Sequence, residues 1–172
     1  MIDFYYPAYF DNAGVPFDHC FADVTRHYEI NPEVILTVLM TESGYPGAKV
    51  PNKRTRKEGN QTITYVASYD LGRAQINSVH LTSKGVNFPQ YGVTEEKLRW
   101  NDCISISASA FMIRYSAEKW LENHRLTSVD DWFRMIASYN SMTPKYNEIY
   151  AARLKESYAK LQSRMKQAVA KK

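Results

Sequence analysis

The chain has 172 residues, of which 44% are hydrophobic and 23% charged, and its formal net charge is +4. This length predicts one domain with its own core, and no stretch approaches the roughly 18 consecutive apolar residues that cross a bilayer. The positive charge suits an anionic partner, and nucleic acid, an acidic membrane surface and the bacterial wall all qualify. Charge alone does not choose among these three.

Two helices are predicted after an N-terminal extension, residues 1–16. Apolar side chains from Phe17 to Tyr28 recur at steps of three and four residues, and Asp18 is the expected N-cap. Asn31 is then expected to cap a second helix, because the proline that follows it fits the first helical position. This second helix is predicted to end at Gly44 or soon after, before Pro46.

Sheet is predicted in one segment only, residues 62–69. Its sequence, Thr-Ile-Thr-Tyr-Val-Ala-Ser-Tyr, has β-branched and aromatic residues in partial alternation, which indicates a short strand or hairpin. The polar, basic stretch before it, residues 51–60, is predicted to be an exposed loop rather than a nucleic-acid-binding patch.

Three further helices are predicted in the second half of the chain. Asn101 begins one, and Ser128 with Asp131 has the form of a capping box for the next. The last helix continues into a basic tail, residues 159–172, and is predicted to bury one face. The residues of that face are Tyr146, Ile149, Tyr150, Leu154, Tyr158 and Leu161. The predicted fold class is therefore mostly α, a helical bundle with a small β insertion.

Glu42 is the residue most informative about chemistry. In the second predicted helix it follows Ile35 by seven residues and Val38 by four, which places its carboxyl group on the apolar stripe. A carboxyl group among buried side chains loses hydration, so its pKa rises toward the range in which it donates a proton near neutral pH. The alternative is that Glu42 points into solvent from the last turn, and periodicity alone does not decide.

The sequence carries no pattern typical of a metal or cofactor site. Cys20 and Cys103 form no Cys-x-x-Cys pair and have no histidine at ligand spacing, and composition by itself favours two buried free thiols. The histidines form neither a His-Glu-x-x-His motif nor a cluster. They are His19, His27, His80 and His124. No metal and no cofactor is therefore expected.

Three short segments, in this order, carry a resemblance to a known family. They are Met40-Thr-Glu-Ser-Gly44, Tyr69-Asp-Leu-Gly-Arg-Ala-Gln-Ile-Asn77 and Ala137-Ser-Tyr-Asn-Ser141. They resemble the lysozyme-like lytic transglycosylases with an SLT domain, whose signatures are a Glu-Ser pair ending an apolar helix, a Gly-x-x-Gln-Ile turn and an Ala-Tyr-Asn segment. The resemblance covers a lysozyme-like domain over residues 17–158. It points in particular to the small members that accompany type III and type IV secretion, conjugation and pilus systems.

The sequence departs from the family's pattern at two places. Arg73-Ala74 stands where the family usually has Leu-Met, and Ser141-Met142 stands where a small residue and Gly are usual. Both departures bear on the contacts that the protein makes with its substrate.

The resemblance implies cleavage of the β-1,4 bond between N-acetylmuramic acid (MurNAc) and N-acetylglucosamine (GlcNAc), with a 1,6-anhydromuramoyl product. Glu42 is then the single catalytic acid and base, because the C6 hydroxyl of the muramyl sugar supplies the nucleophile. The nearby Asp70 is expected to serve in a turn or helix cap rather than in catalysis. The implied substrate-binding residues are Ser43, Gln75, Asn77, Tyr139, Asn140 and Tyr150.

Structural roles remain open for four of these residues. Ser43 can end the catalytic helix and Gln75 can cap a helix. Tyr139 and Tyr150 lie on apolar stripes that predict burial. For Tyr139, burial and substrate contact are compatible.

The resemblance also changes the interpretation of the cysteines. Small members of the family carry a cysteine pair at places that Cys20 and Cys103 match, which implies a disulfide worth about 3 to 5 kcal/mol. It further implies an exported, periplasmic protein whose signal peptide is absent from this sequence.

The partners implied are peptidoglycan glycan strands and subunits of a secretion, conjugation or pilus machine. The basic stretch at residues 53–57 is a further candidate contact to anionic glycan. Neither nucleic-acid binding nor membrane insertion is expected, and the protein is predicted to be a monomer.

Three alternatives stay open at this point. A muramidase would use Glu42 with water as nucleophile, and a non-catalytic assembly or glycan-binding protein would keep the fold without turnover. A basic nucleic-acid-binding helical domain would show affinity that falls steeply with salt. This last alternative leaves the three ordered motifs unexplained.

Overall fold

The computed structural model describes residues 2–6, 8–11, 15 and 17–171. Its helices are α1 (Phe17–Tyr28), α2 (Pro32–Glu42), α3 (Glu95–Trp100), α4 (Asp102–Asn123), α5 (Val129–Ala137) and α6 (Pro144–Ala170). Its strands are β1 (Lys49–Glu58), β2 (Gln61–Leu71) and β3 (Ile76–Asn77). Short 3-10 helices span Ala8–Asp11, Ser78–Leu81 and Phe88–Tyr91. The predicted fold class, mostly α with a small β insertion, is confirmed.

Hydrogen-bonded caps begin the helices where the sequence predicted them. The Asn31 side chain accepts from the backbone N–H of Glu33 at 2.9 Å, and that of Asn101 from Ile104 at 3.1 Å. Ser128 accepts from the N–H of Asp131 at 3.1 Å. The prediction of Asp18 as the N-cap of α1 was wrong, because Asp18 lies inside the first turn of a helix that begins at Phe17. Each cap satisfies an N–H that has no partner within its helix.

The basic stretch predicted as a loop is a strand. β1 pairs antiparallel with β2 from Lys49 opposite Leu71 to Glu58 opposite Gln61, and β3 extends the sheet on the other side of β2. A two-residue turn with Gly59 at φ 59° joins β1 to β2. The prediction failed because the outer part of β1 is exposed on both faces. Apolar and polar residues therefore do not alternate along it.

The core is built around α4. All residues of α4 from Cys103 to Ile113 are buried, and the helix packs against α1, α3 and α5. A helix that is buried on all sides at one end lies at the centre of its domain. Other elements, including α2 and the sheet, are arranged around it.

Cys20 of α1 and Cys103 of α4 form a disulfide with their Cα atoms 5.5 Å apart. This confirms the pairing that the family resemblance implied. The expectation of free thiols, which rested on composition, was wrong. The bond fixes α1 to the central helix, α4.

The buried face of α6 differs in part from the predicted one. Tyr150, Leu154 and Leu161 are buried, but Tyr146 and Ile149 are 57% and 55% exposed. The inward place is taken by Asn147, whose amide donates to the carbonyl groups of Arg134 and Ser141 at 2.9 and 3.1 Å. Because Asn147 is buried and hydrogen-bonded to two backbone carbonyls, the face of α6 that packs on the core includes a polar residue. The positions of the apolar residues alone therefore did not identify this face.

No helix within the described ranges is both long and apolar enough to cross a membrane.

Candidate active site

Glu42 is the last residue of α2, and its position follows from the register of that helix. Ile35 and Val38 on the same stripe are fully buried. Directly after Glu42 the chain leaves the helix at Ser43, whose φ is 54°. The N–H of Ser43 donates to the carbonyl of Leu39 and its hydroxyl to that of Met40, both at 3.0 Å. Ser43 therefore ends the helix, as its structural alternative predicted.

Two glycines allow close backbone contacts here: Gly44 brings the end of α2 against the turn that follows β2, and Gly72 brings that turn against α3. A Cβ atom on Gly44 would lie 2.3 Å from the carbonyl oxygen of Arg73 and 2.4 Å from that of Gly72. Gly72 itself has φ 67°, and a Cβ atom there would lie 2.0 Å from the carbonyl oxygen of Leu98. Backbone packs directly on backbone here, so the distance between Glu42 and this turn is fixed without an intervening side chain.

The Glu42 carboxyl group sits in an environment that raises its pKa. Burial is the largest cause, and the nearby carboxylate of Asp70 adds to it. The hydrogen bond from the Tyr150 hydroxyl to Oε1 of Glu42 and the charge of Arg153 act in the opposite direction. Burial disfavours the charged form more than the two favourable contacts restore it. The direction is the one that the helical register predicted.

Two tyrosines flank this carboxyl group and keep their protons. Tyr150 is buried, and burial together with Glu42 raises its pKa. Tyr139 donates to the carbonyl of Ala74 at 3.2 Å, and the same two causes raise its pKa. Both phenols therefore act as hydrogen-bond donors in this site and not as bases.

Gln75 presents one side of its amide to the cleft. Its backbone has φ 53°, and both its N–H and its Nε2 donate to the carbonyl of Gly72, at 3.2 and 2.9 Å. Its side-chain oxygen has no hydrogen-bond partner among the described residues. That oxygen is free to accept a hydrogen bond from a ligand.

Asn77 uses its amide within the protein. Nδ2 donates to Oγ of Ser68 and Oδ1 of Asp70, both at 3.0 Å, and Oδ1 accepts the N–H of Val79 at 3.0 Å. Asn77 thus braces Asp70, although it also lines the cleft. The local sequence could not reveal this, because the contact is made across two strands.

Asp70 was predicted in a turn or helix cap, and this was wrong. It lies in β2, opposite Val50 on one side and Asn77 on the other. It lines the same cleft as Glu42. The cleft therefore holds two carboxyl groups.

The cleft has a volume of about 640 Å³. Of the predicted site residues it brings together Glu42, Gln75, Asn77, Tyr139 and Asn140. Ser43 and Tyr150 do not line it. The remaining lining residues are Asn52, Lys53, Arg54, Ala67, Ser68, Asp70, Val79, His80 and Met112. A second, more apolar cleft of about 710 Å³ continues from it past His80, Met112, Tyr139 and Asn140.

Sequence reasoning missed most of the residues that come from the hairpin and from the segment after β3. Residues 53–57, which include Lys53 and Arg54, were predicted as a loop and a candidate contact to glycan, and His80 was considered only as a metal ligand. His80 accepts the N–H of Val86 through Nδ1 at 3.2 Å, and burial lowers its pKa. A neutral ring so bonded carries its proton on Nε2. Only the position of His80 three residues after the Gln-Ile-Asn segment hinted at a place in the site.

The two departures from the family's pattern have different consequences. Arg73 pairs with Asp102 at 2.9 Å and lies over the ring of Phe17, outside the cleft. Ser141 and Met142 line the second cleft, where Met142 is 49% exposed. Of the two departures, only the second lies in the walls of the clefts.

Within the described residues, no group of three or more His, Cys, Asp or Glu side chains could hold a metal ion.

A family model described as the Transglycosylase SLT domain matches residues 19–163 of the chain. The match includes all three segments that carried the resemblance. No curated protein matches the chain.

Proposed function

The chain belongs to the Transglycosylase SLT domain family, whose activity is lytic transglycosylation of peptidoglycan, and we propose that Glu42 alone supplies both the acid and the base of this reaction. The observation that carries the proposal is the Glu42 carboxyl group at the cleft, with a pKa raised by burial and with one oxygen held by Tyr150. A carboxyl group that stays protonated closer to neutral pH is suited to act as a general acid.

In the first half of the proposed reaction the protonated Glu42 donates to the glycosidic oxygen between MurNAc C1 and GlcNAc O4. The C1–O4 bond breaks, and the GlcNAc residue leaves with a free 4-hydroxyl group. Positive charge develops at C1 of the muramyl sugar. Glu42 is then a carboxylate.

In the second half the C6 hydroxyl of the same muramyl sugar attacks C1, and its proton passes to the Glu42 carboxylate. The new C6–O–C1 bond gives the 1,6-anhydromuramoyl end, and Glu42 is protonated again. No water is consumed and no second carboxyl group is required. These two features distinguish the route from hydrolysis by a pair of carboxyl groups.

Tyr150 and Arg153 are proposed as positioning residues. The Tyr150 hydroxyl donates to Oε1 of Glu42, which leaves Oε2 to carry the transferred proton. Arg153 lies over the Tyr150 ring at 5.5 Å and donates to the carbonyl of Thr41 at 2.9 Å. These contacts stabilise the carboxylate that exists between the two proton transfers, while burial favours the acid.

The remaining site residues are proposed to hold the glycan. The free oxygen of Gln75 and the exposed amide of Asn140 offer partners to acetamido groups. Tyr139 packs beside the muramyl ring, Asn77 keeps Asp70 in place, and Ser43 fixes the end of the catalytic helix. The paired clefts give room for a strand of several sugars.

A muramidase is the second candidate, and Asp70 is the observation that favours it. Asp70 lines the cleft together with Glu42, and a carboxylate in such a place can act as a nucleophile or activate water. Asp70 accepts from Asn77 at 3.0 Å. The same contact is equally consistent with a second role for Asp70, in which it is a fixed negative charge that raises the pKa of Glu42.

The proposed setting is outside the cytoplasmic membrane, in the periplasm, where peptidoglycan lies. There the enzyme opens the wall locally for a secretion, conjugation or pilus machine, whose subunits are its proposed partners. The resemblance to small members of the family supports this setting. If the protein shows no cleavage activity, the alternative is a glycan-binding assembly factor without turnover.

The experiment is digestion of purified peptidoglycan by the wild type, Glu42→Gln and Glu33→Gln, with soluble muropeptides identified by mass spectrometry. Glu33 lies in the same helix and accepts from Tyr158 and Gln162, away from the cleft, so it is the matched control. Anhydromuramoyl products are expected from the wild type and Glu33→Gln, with a loss of at least about a thousandfold for Glu42→Gln. Equal activity of all three proteins would remove Glu42 from the chemistry.

A further inference from the structure

The β1–β2 hairpin stands away from the body of the protein. From Lys53 to Ala67 every residue except Ile63 is exposed. Residues 53–58 alone extend about 20 Å at the rise of a strand. A two-stranded hairpin without a buried face gains little stability of its own. The hairpin therefore contributes little to the core, and its exposed side chains are available to a ligand.

The hairpin carries most of the net charge of the protein. Residues 51–69 contain four cations and one carboxylate, a formal charge of +3, whereas the whole chain has +4. The cations are Lys53, Arg54, Arg56 and Lys57, called here the hairpin cations. All four come from β1, and β2 opposite them has no charged side chain between Gln61 and Tyr69.

Most of this charge is not neutralised within the protein. Arg56 pairs with Glu58 at 2.5 Å and lies over the Tyr65 ring at 5.3 Å. Lys53, Arg54 and Lys57 make no ion pair with any carboxylate in the described part of the chain. Exposed cations held next to one another without counter-charges attract anions, and the attraction falls with salt.

The hairpin begins at the wall of the catalytic cleft. Its pairing shifts register between Asn52 and Lys53, which leaves Ala67 as the extra residue of a β-bulge. Bulges bend a strand and change the direction in which it runs. Lys53, Arg54 and Ala67 line the cleft that contains Glu42, and the other cations follow outward along the strand. The positive charge thus runs from the cleft into solvent.

The anionic groups of the proposed substrate, peptidoglycan, lie on its stem peptides. In intact peptidoglycan the lactyl group of each muramyl sugar is bound in an amide to a stem peptide, so the sugar backbone itself carries no charge. The negative charge lies on the free carboxylates of the stem peptides, which extend away from the glycan. A strand seated at Glu42 would therefore have its charge beside the glycan, in the region into which the hairpin extends.

We propose that the hairpin cations bind the carboxylates of the stem peptides, so that this protein selects peptide-bearing glycan strands. The proposal rests on the proposed function, because it requires the glycan to occupy the cleft. It adds the class of substrate and the residues that recognise it. Exposed Lys/Arg–carboxylate pairs contribute about twofold each to binding, so three of them together give a preference of about tenfold.

The test compares two preparations of the same soluble strands, one native and one with the stem carboxylates converted to amides by carbodiimide coupling. The wild type is expected to cleave native strands with a kcat/KM about tenfold higher, mostly through KM. The triple variant Lys53→Gln/Arg54→Gln/Lys57→Gln is expected to lose this preference, leaving a ratio within about twofold of one. The wild-type preference should also fall as NaCl rises from about 0.05 M to about 0.5 M.

The matched control is Arg164→Gln/Lys166→Gln/Lys171→Gln. These cations are exposed at the end of α6, and their removal changes the net charge by the same amount. The control is expected to keep the wild-type ratio. Equal cleavage of the two preparations by the wild type, or a preference that survives in the hairpin variant, would overturn the proposal.

Binding separates this proposal from the proposed function. In the Glu42→Gln background the affinities for the two preparations are measured without cleavage, and the same tenfold preference is expected. If the wild type cleaves nothing and this preference remains, only the proposed function fails. If the hairpin triple variant keeps the preference but loses binding to vesicles containing phosphatidylglycerol, the cations serve a membrane surface and the proposal is overturned.

Discussion

The two parts of the cleft wall are built in contrasting ways. Around Glu42, α2 packs backbone to backbone on the turn after β2, and a buried tyrosine holds the carboxyl group. At Lys53 and Arg54 the wall is the base of a hairpin that is exposed on both faces and rich in positive charge. The wall around Glu42 is closely packed and partly dehydrated, and the wall formed by the hairpin is solvated.

The contrast follows from what each part is proposed to do. A raised pKa requires loss of hydration and fixed neighbours, and these come only with close packing. Contact with a long, variable polymer requires reach and charge, and an exposed hairpin supplies both. The expected effects of substitution therefore differ in kind: stability and proton transfer in the first region, and substrate preference in the second.

The largest expected effect is on stability, and it compares one glycine from each region. Gly72→Ala adds a Cβ atom 2.0 Å from the carbonyl oxygen of Leu98 at a positive φ, and should lower the free energy of unfolding by about 3 to 5 kcal/mol. Gly59→Ala in the hairpin turn also has a positive φ but meets nothing within 4 Å, and should cost about 1 to 2 kcal/mol. Urea denaturation measures both.

Equal losses for the two glycine variants would mean that backbone conformation, and not the close approach at the site, sets the cost. That result would break the distinction between a tightly packed region and an open one.

The next effect is on catalysis, and it follows from the hydrogen bond that Tyr150 donates to Glu42. Tyr150→Phe should lower kcat by about 10- to 100-fold, because a hydrogen bond to a charged group contributes about 1.5 to 3 kcal/mol. Tyr146→Phe, an exposed position on the same helix, should have no effect. A Tyr150→Phe variant with wild-type kcat would show that the phenol serves packing alone.

The smallest effect is a pair of shifts in the pH dependence of kcat/KM. The rate should fall on the alkaline side as Glu42 loses its proton. Tyr150 lowers the pKa of Glu42 and Asp70 raises it. Tyr150→Phe should therefore move the alkaline limb to higher pH, and Asp70→Asn should move it to lower pH.

Shifts of the alkaline limb in the same direction would contradict the electrostatic arrangement around Glu42. Loss of all activity in Asp70→Asn, at every pH, would instead give Asp70 a direct part in the chemistry.

The sequence predicted the tightly packed region better than the exposed one. The register of α2 could be read because Asn31 and Pro32 fix its start and its apolar stripe points to the core. The disulfide was predicted through the family resemblance alone, since the spacing of Cys20 and Cys103 carries no signal by itself.

Residues 62–69, which lie in β2, were predicted as a strand or hairpin, but the first strand of the hairpin, β1, could not be predicted, for a physical reason. A strand with both faces in solvent shows no alternation of polar and apolar side chains, so β1 resembles a loop in sequence. Asp70 was assigned to a turn because Leu71 and Gly72 follow it, but the pairing of β2 with β1 continues through Leu71. The contact between Asp70 and Asn77 depends on that pairing and is not visible locally.

The measurement that tests the central claim most directly is digestion of peptidoglycan in water enriched in oxygen-18, with the wild type and Asp70→Asn. If Glu42 acts alone and the C6 hydroxyl is the nucleophile, both proteins give 1,6-anhydromuramoyl ends that contain no oxygen-18. If the wild type gives reducing muramyl ends that carry oxygen-18, and Asp70→Asn gives none, water is the nucleophile, two carboxyl groups are required, and the claim is wrong.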